Sequence, residues 1–282
     1  MNIYHTIKET KEQINAWRKE GLSIGFVPTM GYLHEGHLSL IQKARSENEK
    51  VVVSIFVNPT QFGPNEDFNS YPRDLKSDAA LCEKGGVDLI FNPDSEELYP
   101  EHFCTFVDME KVTKELCGKS RPIHFRGVCT VVNKLFNITT PDRAYFGQKD
   151  AQQLAVIRRM VQDLNMDVEI IGCPIVRETD GLAKSSRNTY LNAEERQAAL
   201  ILSKAVFTAE RLIVEDGERD TEKLITELKV MIQSEPLAKI DYIEVVDSSS
   251  IEKITHIHGS VLVAIAVFIG KTRLIDNIIC EI

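Results

Sequence analysis

Apolar positions in the first two-thirds of the chain alternate between two spacings. Residues 6–19 carry them at helical intervals, 23–27 form a short apolar run, and 38–46 return to helical spacing. The run 51–57 is continuously apolar and stops at Asn58-Pro59, as a buried strand does. The alternation continues with a helix over 75–84, a strand over 87–91 and a helix over 126–138. A short strand at 143–146, a helix at 150–164 and a strand at 168–176 follow. Strands separated by helices predict an α/β fold, a Rossmann-like parallel sheet with helices on both faces. Such sheets bind ligands beyond the carboxyl ends of their strands, and several polar clusters in this chain follow those ends.

Beyond Arg187 the pattern changes. Asn192-Ala193-Glu194-Glu195 reads as an N-cap with an acidic first turn, opening one helix that runs to about residue 215. Asp216-Gly217-Glu218 breaks it, a helix over 221–234 follows, and strands are expected at 240–246, 260–269 and 273–279. This predicts a smaller C-terminal α+β domain, with the boundary between 1–186 and 187–282.

The composition, 43% hydrophobic and 27% charged, is ordinary for a globular chain. A net charge of -9 argues against a general grip on nucleic acid, which needs a basic face. The six cysteines form no C-x-x-C pair and read as buried thiols in a reducing compartment. The first residues lack the apolar core of a signal peptide. The longest apolar run, 261–269, falls short of the roughly 20 residues that span a bilayer. A cytoplasmic protein with no membrane partner is expected.

The most informative segment is Met30-Gly31-Tyr32-Leu33-His34-Glu35-Gly36-His37, between the 23–27 strand and the 38–46 helix. A helix N-terminus offers outward N–H groups and a favourable dipole to an anion, and Gly36 permits close approach. His34 and His37 lie one turn apart and can face the same phosphate chain. A metal pair and simple helix-capping histidines are the competing readings. The zinc reading lacks a further acidic or thiol ligand nearby, since Glu35 points elsewhere on the helix.

Three other clusters carry candidate chemistry. Asn58-Pro59-Thr60-Gln61 ends a buried strand with amides that can read hydroxyls and carboxylates. In Gly147-Gln148-Lys149-Asp150, Lys149 could neutralise phosphate and Asp150 could bind ribose hydroxyls or simply begin a helix; Gln153 sits one turn further along. From Val176 through Lys184-Ser185-Ser186-Arg187, two hydroxyls flanked by cations could close over a triphosphate or be a solvated basic loop. Tyr71, Arg121 and His124 are weaker signals.

Together these motifs resemble the pantoate–β-alanine ligase (pantothenate synthetase) family of the nucleotidyltransferase superfamily, whose signature is H-x-G-H. V-P-T-M-G-x-L-H-E-G-H, F-V-N-P-x-Q-F, Y-P-R, H-F-x-G-V-x-T-V-V, F-G-x-K-D-x-Q-Q and S-S-R-N-x-Y-L occur in the family's order. The resemblance implies ATP-dependent condensation of pantoate with β-alanine through a pantoyl adenylate, with AMP and pyrophosphate released. It implies catalytic roles for His37, His34 and Lys149. It also implies nucleotide contacts from Met30 to His37, Gly147 to Asp150, Val176 and Lys184 to Arg187. Gln61, Gln153 and Asn58 would hold pantoate. The 1–186 domain would bind nucleotide and pantoate, with 187–282 covering the active site. Mg2+ would arrive with ATP without a dedicated protein metal site, and the assembly would be a homodimer. Lys184 departs from the methionine usual in the family. Another nucleotidyltransferase of this fold, or a non-catalytic nucleotide-binding module, would share much of this pattern.

Overall fold

The computed structural model describes residues 1–64 and 66–282, and the chain clusters into two compact units. The first contains Met1–Met109, Arg121–Gln148 and Val156–Pro174; the second contains Glu110–Ser120, Lys149–Ala155 and Ile175–Ile282. The division differs from a single boundary at 186/187. Gln152 ties 149–155 to 112–117, Ser120 donates to Asp241, the Lys149 carbonyl accepts from Asn277, and Arg177 is joined to Asp276, so these segments cluster with the C-terminal residues.

In the first unit, strands β1 (Asn2–Tyr4), β2 (Ile24–Thr29), β3 (Lys50–Ile55), β4 (Leu89–Phe91), β5 (Arg143–Gly147) and β6 (Glu169–Cys173) form one sheet. Their order is β1-β4-β3-β2-β5-β6, and every pairing is parallel. Helices α1 (Ile7–Lys19), α2 (Glu35–Glu47), α3 (Leu75–Lys84) and α4 (His124–Thr139), with most of α5 (Ala151–Asp163), flank it. The sheet core is dry: Phe26, Val27, Val52, Val53, Leu89 and Ile90 are fully buried, each contributing about 1.5–3 kcal/mol of transfer free energy. The apolar pattern does not predict the three-residue β1, because a strand so short carries no periodicity. Pro174, with no N–H to donate, follows the end of β6.

The chain builds outward from β2 through β3 to β4, then crosses to β5 on the other side, so the topological switch point lies between β2 and β5. Their ladder pairs Gly25 with Arg143 and Phe26 with Ala144 and then stops. The carbonyl of Thr29 faces β3, where it accepts from Phe56, so strand alternation turns Pro28 toward β5. Pro28 cannot donate, and the carboxyl halves of the two strands run on without each other's hydrogen bonds.

In the second unit, β7 (Ala238–Asp247), β8 (Ser260–Ile269) and β9 (Thr272–Glu281) form an antiparallel sheet in sequence order. Helices α6 (Ala193–Ala198), α7 (Leu200–Val214) and α8 (Thr221–Gln233) share a core with it through Ala198, Leu202, Val206, Leu224, Val263 and Ile265. The single helix expected over 192–215 is two. Asn192 caps α6 reciprocally with Glu195, and at Ala199 the ladder tightens as Leu202 N–H donates back to the Ala199 carbonyl.

Candidate active site

In the first unit, β2 delivers the chain to Gly31 and Tyr32, both left-handed at φ 82° and 52°. Glycine adopts that geometry without strain, and tyrosine needs support. Asp78 of α3, 2% exposed, supplies it by accepting from Tyr32 N–H at 2.9 Å and Leu33 N–H at 2.7 Å. Burial pushes the Asp78 carboxyl above its ordinary range, partly opposed by these two bonds. Asp78 therefore shapes the 30–33 loop.

That loop sets His34 as the N-cap of α2. Its Nδ1 accepts from Gly36 N–H at 3.1 Å, while His34 N–H donates to His37 Nδ1 at 3.2 Å. The ring centroids are 4.1 Å apart. A ring nitrogen that accepts from a backbone N–H carries no proton, so each neutral imidazole holds its hydrogen on Nε2. Capping and phosphate contact are thus compatible: Nδ1 serves the helix, and Nε2–H is the donor each ring offers an anion.

After β3, a 3-10 turn, Pro59–Gln61, presents Gln61, whose Nε2 lies 3.0 Å from Met30 Sδ. Asn58, expected to bind substrate, is 1% exposed, and its amide is engaged within the protein. Its Nδ2 donates to Gln61 Oε1 and to the Gly127 carbonyl, and its Oδ1 accepts from Tyr99 and Thr60. Asn58 supports Gln61. Helix α4 lies directly against this turn: a Cβ on Gly127 would sit 2.4 Å from the Thr60 carbonyl oxygen.

Arg121 and His124 also serve this turn. Arg121 Nε reaches both Glu66 oxygens at 3.0 Å, and His124 Nδ1 lies 3.0 Å from the Gln61 carbonyl. Burial raises the Glu66 carboxyl, but its bonds and charge pairing with Arg121 outweigh that and leave it lowered. Tyr71 is core, 5% exposed with its ring against Phe62. At the end of β5, a Cβ on Gly147 would meet no atom within 4 Å, so the backbone there is open to close approach. Gln148 opens the next 3-10 turn, Gln148–Asp150.

In the second unit, Lys149 Nζ lies 3.5 Å from Asp150 Oδ2, and the Lys149 carbonyl accepts from Asn277 Nδ2 of β9 at 2.8 Å. The adjacent glutamines divide their work. Gln152, 5% exposed, accepts from Cys117 N–H and donates to the carbonyls of Val112 and Glu115. Gln153 is half-buried on the same helix. Nothing in the local pattern distinguishes the bracing glutamine from its neighbour.

The segment 176–184 folds as a hairpin. Val176 O accepts from Lys184 N–H at 2.9 Å, Glu178 N–H donates to Leu182 O at 2.8 Å, and Gly181 turns at φ 96°. Arg177 anchors it with a two-pronged pair to Asp276 at 2.7 and 2.9 Å. Lys184 Nζ lies 3.0 Å from Glu178 Oε2, across the hairpin. Ser185 Oγ accepts from Arg187 N–H, capping the 3-10 turn Ser186–Tyr190, and Ser186 is 9% exposed. Among the described residues no three His, Cys, Asp or Glu side chains cluster as metal ligands, and no helix is long and apolar enough to cross a membrane.

The family model for pantoate-beta-alanine ligase matches residues 2–279. A pantothenate synthetase from Ruminiclostridium cellulolyticum is 62% identical over 277 residues, covering 98% of each chain. The crystal structure of the Thermus thermophilus pantothenate synthetase superposes with a TM-score of 0.92 at 43% identity, covering 99% of both chains. A Francisella tularensis pantoate-beta-alanine ligase, solved in complex with beta-gamma ATP and beta-alanine, gives 0.81 at 38% identity over 99% of this chain and 97% of that one. With the H-x-G-H pair at the switch point of a parallel sheet and full-length likeness in sequence and structure, this chain belongs to the pantoate–β-alanine ligase family.

Proposed function

We propose that this chain condenses pantoate with β-alanine, using ATP. The observation that carries the reading is the His34–His37 cap, which sets two neutral imidazole donors at the anion-favouring end of α2. In the first step the pantoate carboxylate attacks the α-phosphorus of MgATP, forming pantoyl adenylate as the bond to pyrophosphate breaks. In the second, the β-alanine amine attacks the activated carbonyl and AMP leaves. Alignment and charge neutralisation are the enzyme's main contributions.

In this reading Nε2–H of His37 and His34 donates to phosphate oxygens as charge builds on the leaving pyrophosphate. Lys149 adds a cation toward phosphate and Asp150 turns toward ribose. Met30 to Leu33, Glu35, Gly36, Gly147, Gln148, Val176 and Lys184 to Arg187 serve the nucleotide, while Gln61 and Gln153 hold pantoate. In this reading a magnesium ion arrives on ATP, held by its oxygens and water. We further place the enzyme in the cytoplasm, as a homodimer with residues 187–282 as its smaller domain. Sedimentation at micromolar concentration tests the dimer.

Pantoate-dependent exchange of labelled pyrophosphate into ATP, without β-alanine, tests the adenylate. Exchange that needs pantoate supports it. Absence of exchange, with pantothenate still formed, would require direct condensation.

A further inference from the structure

Gln61 is held in one amide orientation by a chain of bonds that ends in backbone groups. Asn58 faces an unambiguous donor, Thr60 N–H at 3.4 Å from Oδ1, and an unambiguous acceptor, the Gly127 carbonyl at 3.1 Å from Nδ2. Its amide therefore cannot be flipped without opposing like groups. With Nδ2 fixed, its second hydrogen meets Gln61 Oε1 at 3.0 Å. Gln61 Oε1 is thereby occupied, and its NH2 group projects to the thioether of Met30 at 3.0 Å, a weak acceptor that an oxygen ligand outcompetes. Gln61 is set as a hydrogen-bond donor, the polarity that a carboxylate or hydroxyl oxygen requires.

The shortest side-chain bond on Asn58 comes from Tyr99, whose hydroxyl donates to Oδ1 at 2.8 Å and lies 3.3 Å from Thr60 Oγ1. Tyr99 follows the short helical turn Ser95–Leu98 and packs its ring against Phe56 and Phe103. A tyrosine phenol is protonated at neutral pH and can donate, and burial raises this one further. Tyr99 stands two bonds from the substrate-facing amide, and no short motif in the sequence points to it.

We propose that Tyr99 is a positioning residue for the reaction, acting through Asn58 to hold the Gln61 amide nitrogen toward the carboxylate substrate. The proposal rests on the reading that Gln61 meets pantoate.

Tyr99→Phe keeps the ring and removes the hydroxyl. We expect the KM for pantoate to rise about three- to tenfold, with the KM for ATP unchanged, as fits loss of one neutral hydrogen bond. The decisive comparison is the double variant: in a Gln61→Ala background, Tyr99→Phe should leave the pantoate KM where Gln61→Ala alone puts it. Thr60→Ala, which removes the hydroxyl shared by Tyr99 and Asn58, perturbs the chain without touching the packed ring. It should raise the pantoate KM selectively, and it decides the matter if Tyr99→Phe fails to fold. A selective effect that persists in full without Gln61, or equal changes in the KM of both substrates, would overturn the proposal. If Gln61→Ala itself leaves the pantoate KM unaltered, the reading of Gln61 falls, and the positioning proposal falls with it.

Discussion

His34 and His37 are joined by a reciprocal cap: the backbone of His34 donates to the ring of His37 at 3.2 Å, and the ring of His34 accepts from Gly36 N–H at 3.1 Å. One pair of side chains thus closes a helix N-terminus and fixes which ring nitrogen carries hydrogen. His37→Ala removes an acceptor from an N-terminal N–H and should cost about 1 kcal/mol of stability, as N-cap losses do. Adenylation should fall much further, by about 10²-fold or more, the scale for removing a preorganised donor to developing charge. Thermal melts beside single-turnover adenylate formation separate the two effects. A variant with near-normal adenylation would remove His37 from the chemistry.

The Lys184 ammonium lies 3.0 Å from Glu178 across the 176–184 hairpin. A partly exposed pair of this kind is worth at most about 1 kcal/mol. Lys184→Met should therefore change stability by less than about 1 kcal/mol and, with Lys184 read as serving the nucleotide, raise the KM for ATP severalfold. An unaltered KM would show that the ammonium serves only the hairpin.

Asp276 has a 1% exposed side chain, and both its oxygens are engaged by Arg177. Removing one partner strands a largely buried guanidinium. Asp276→Ala should destabilise the second unit by about 3–5 kcal/mol, read as a lowered denaturation midpoint. A loss under about 1 kcal/mol would mean that the pair is not desolvated in solution.

Glu66 is held below its ordinary value of 4.5 by Arg121 despite its burial. A lowered carboxylate contributes stability that is present above the unfolded value and lost as pH falls through the folded one. The wild-type chain should lose stability from Glu66 below about pH 4.5 as the pair breaks. Glu66→Gln should be less stable at neutral pH and show a shallower acid slope. Parallel slopes for the two proteins would take Glu66 out of the acid transition.

The sheet and its flanking helices are legible because continuous apolar runs such as 51–57 and helical spacing such as 6–19 are direct records of burial. The Asn192 cap is legible for a similar reason, since Asn with Glu three residues on is a local device. Other features depend on partners distant in sequence. Asp78 shapes a loop 45 residues away, and Gln152 braces a backbone 35 residues upstream. Asn58 reads as a substrate amide until Tyr99 and Gly127 are seen to consume it. The break at Ala199 has no breaker residue, and the sequence Leu-Asn-Ala-Glu-Glu-Arg reads straight through toward it.

The most direct test is a product assay by mass spectrometry with the purified chain, MgATP, pantoate and β-alanine, each omitted in turn. We expect pantothenate and AMP to appear together and to depend on all three substrates. Consumption of ATP that ignores pantoate, or AMP without pantothenate, would contradict the assignment.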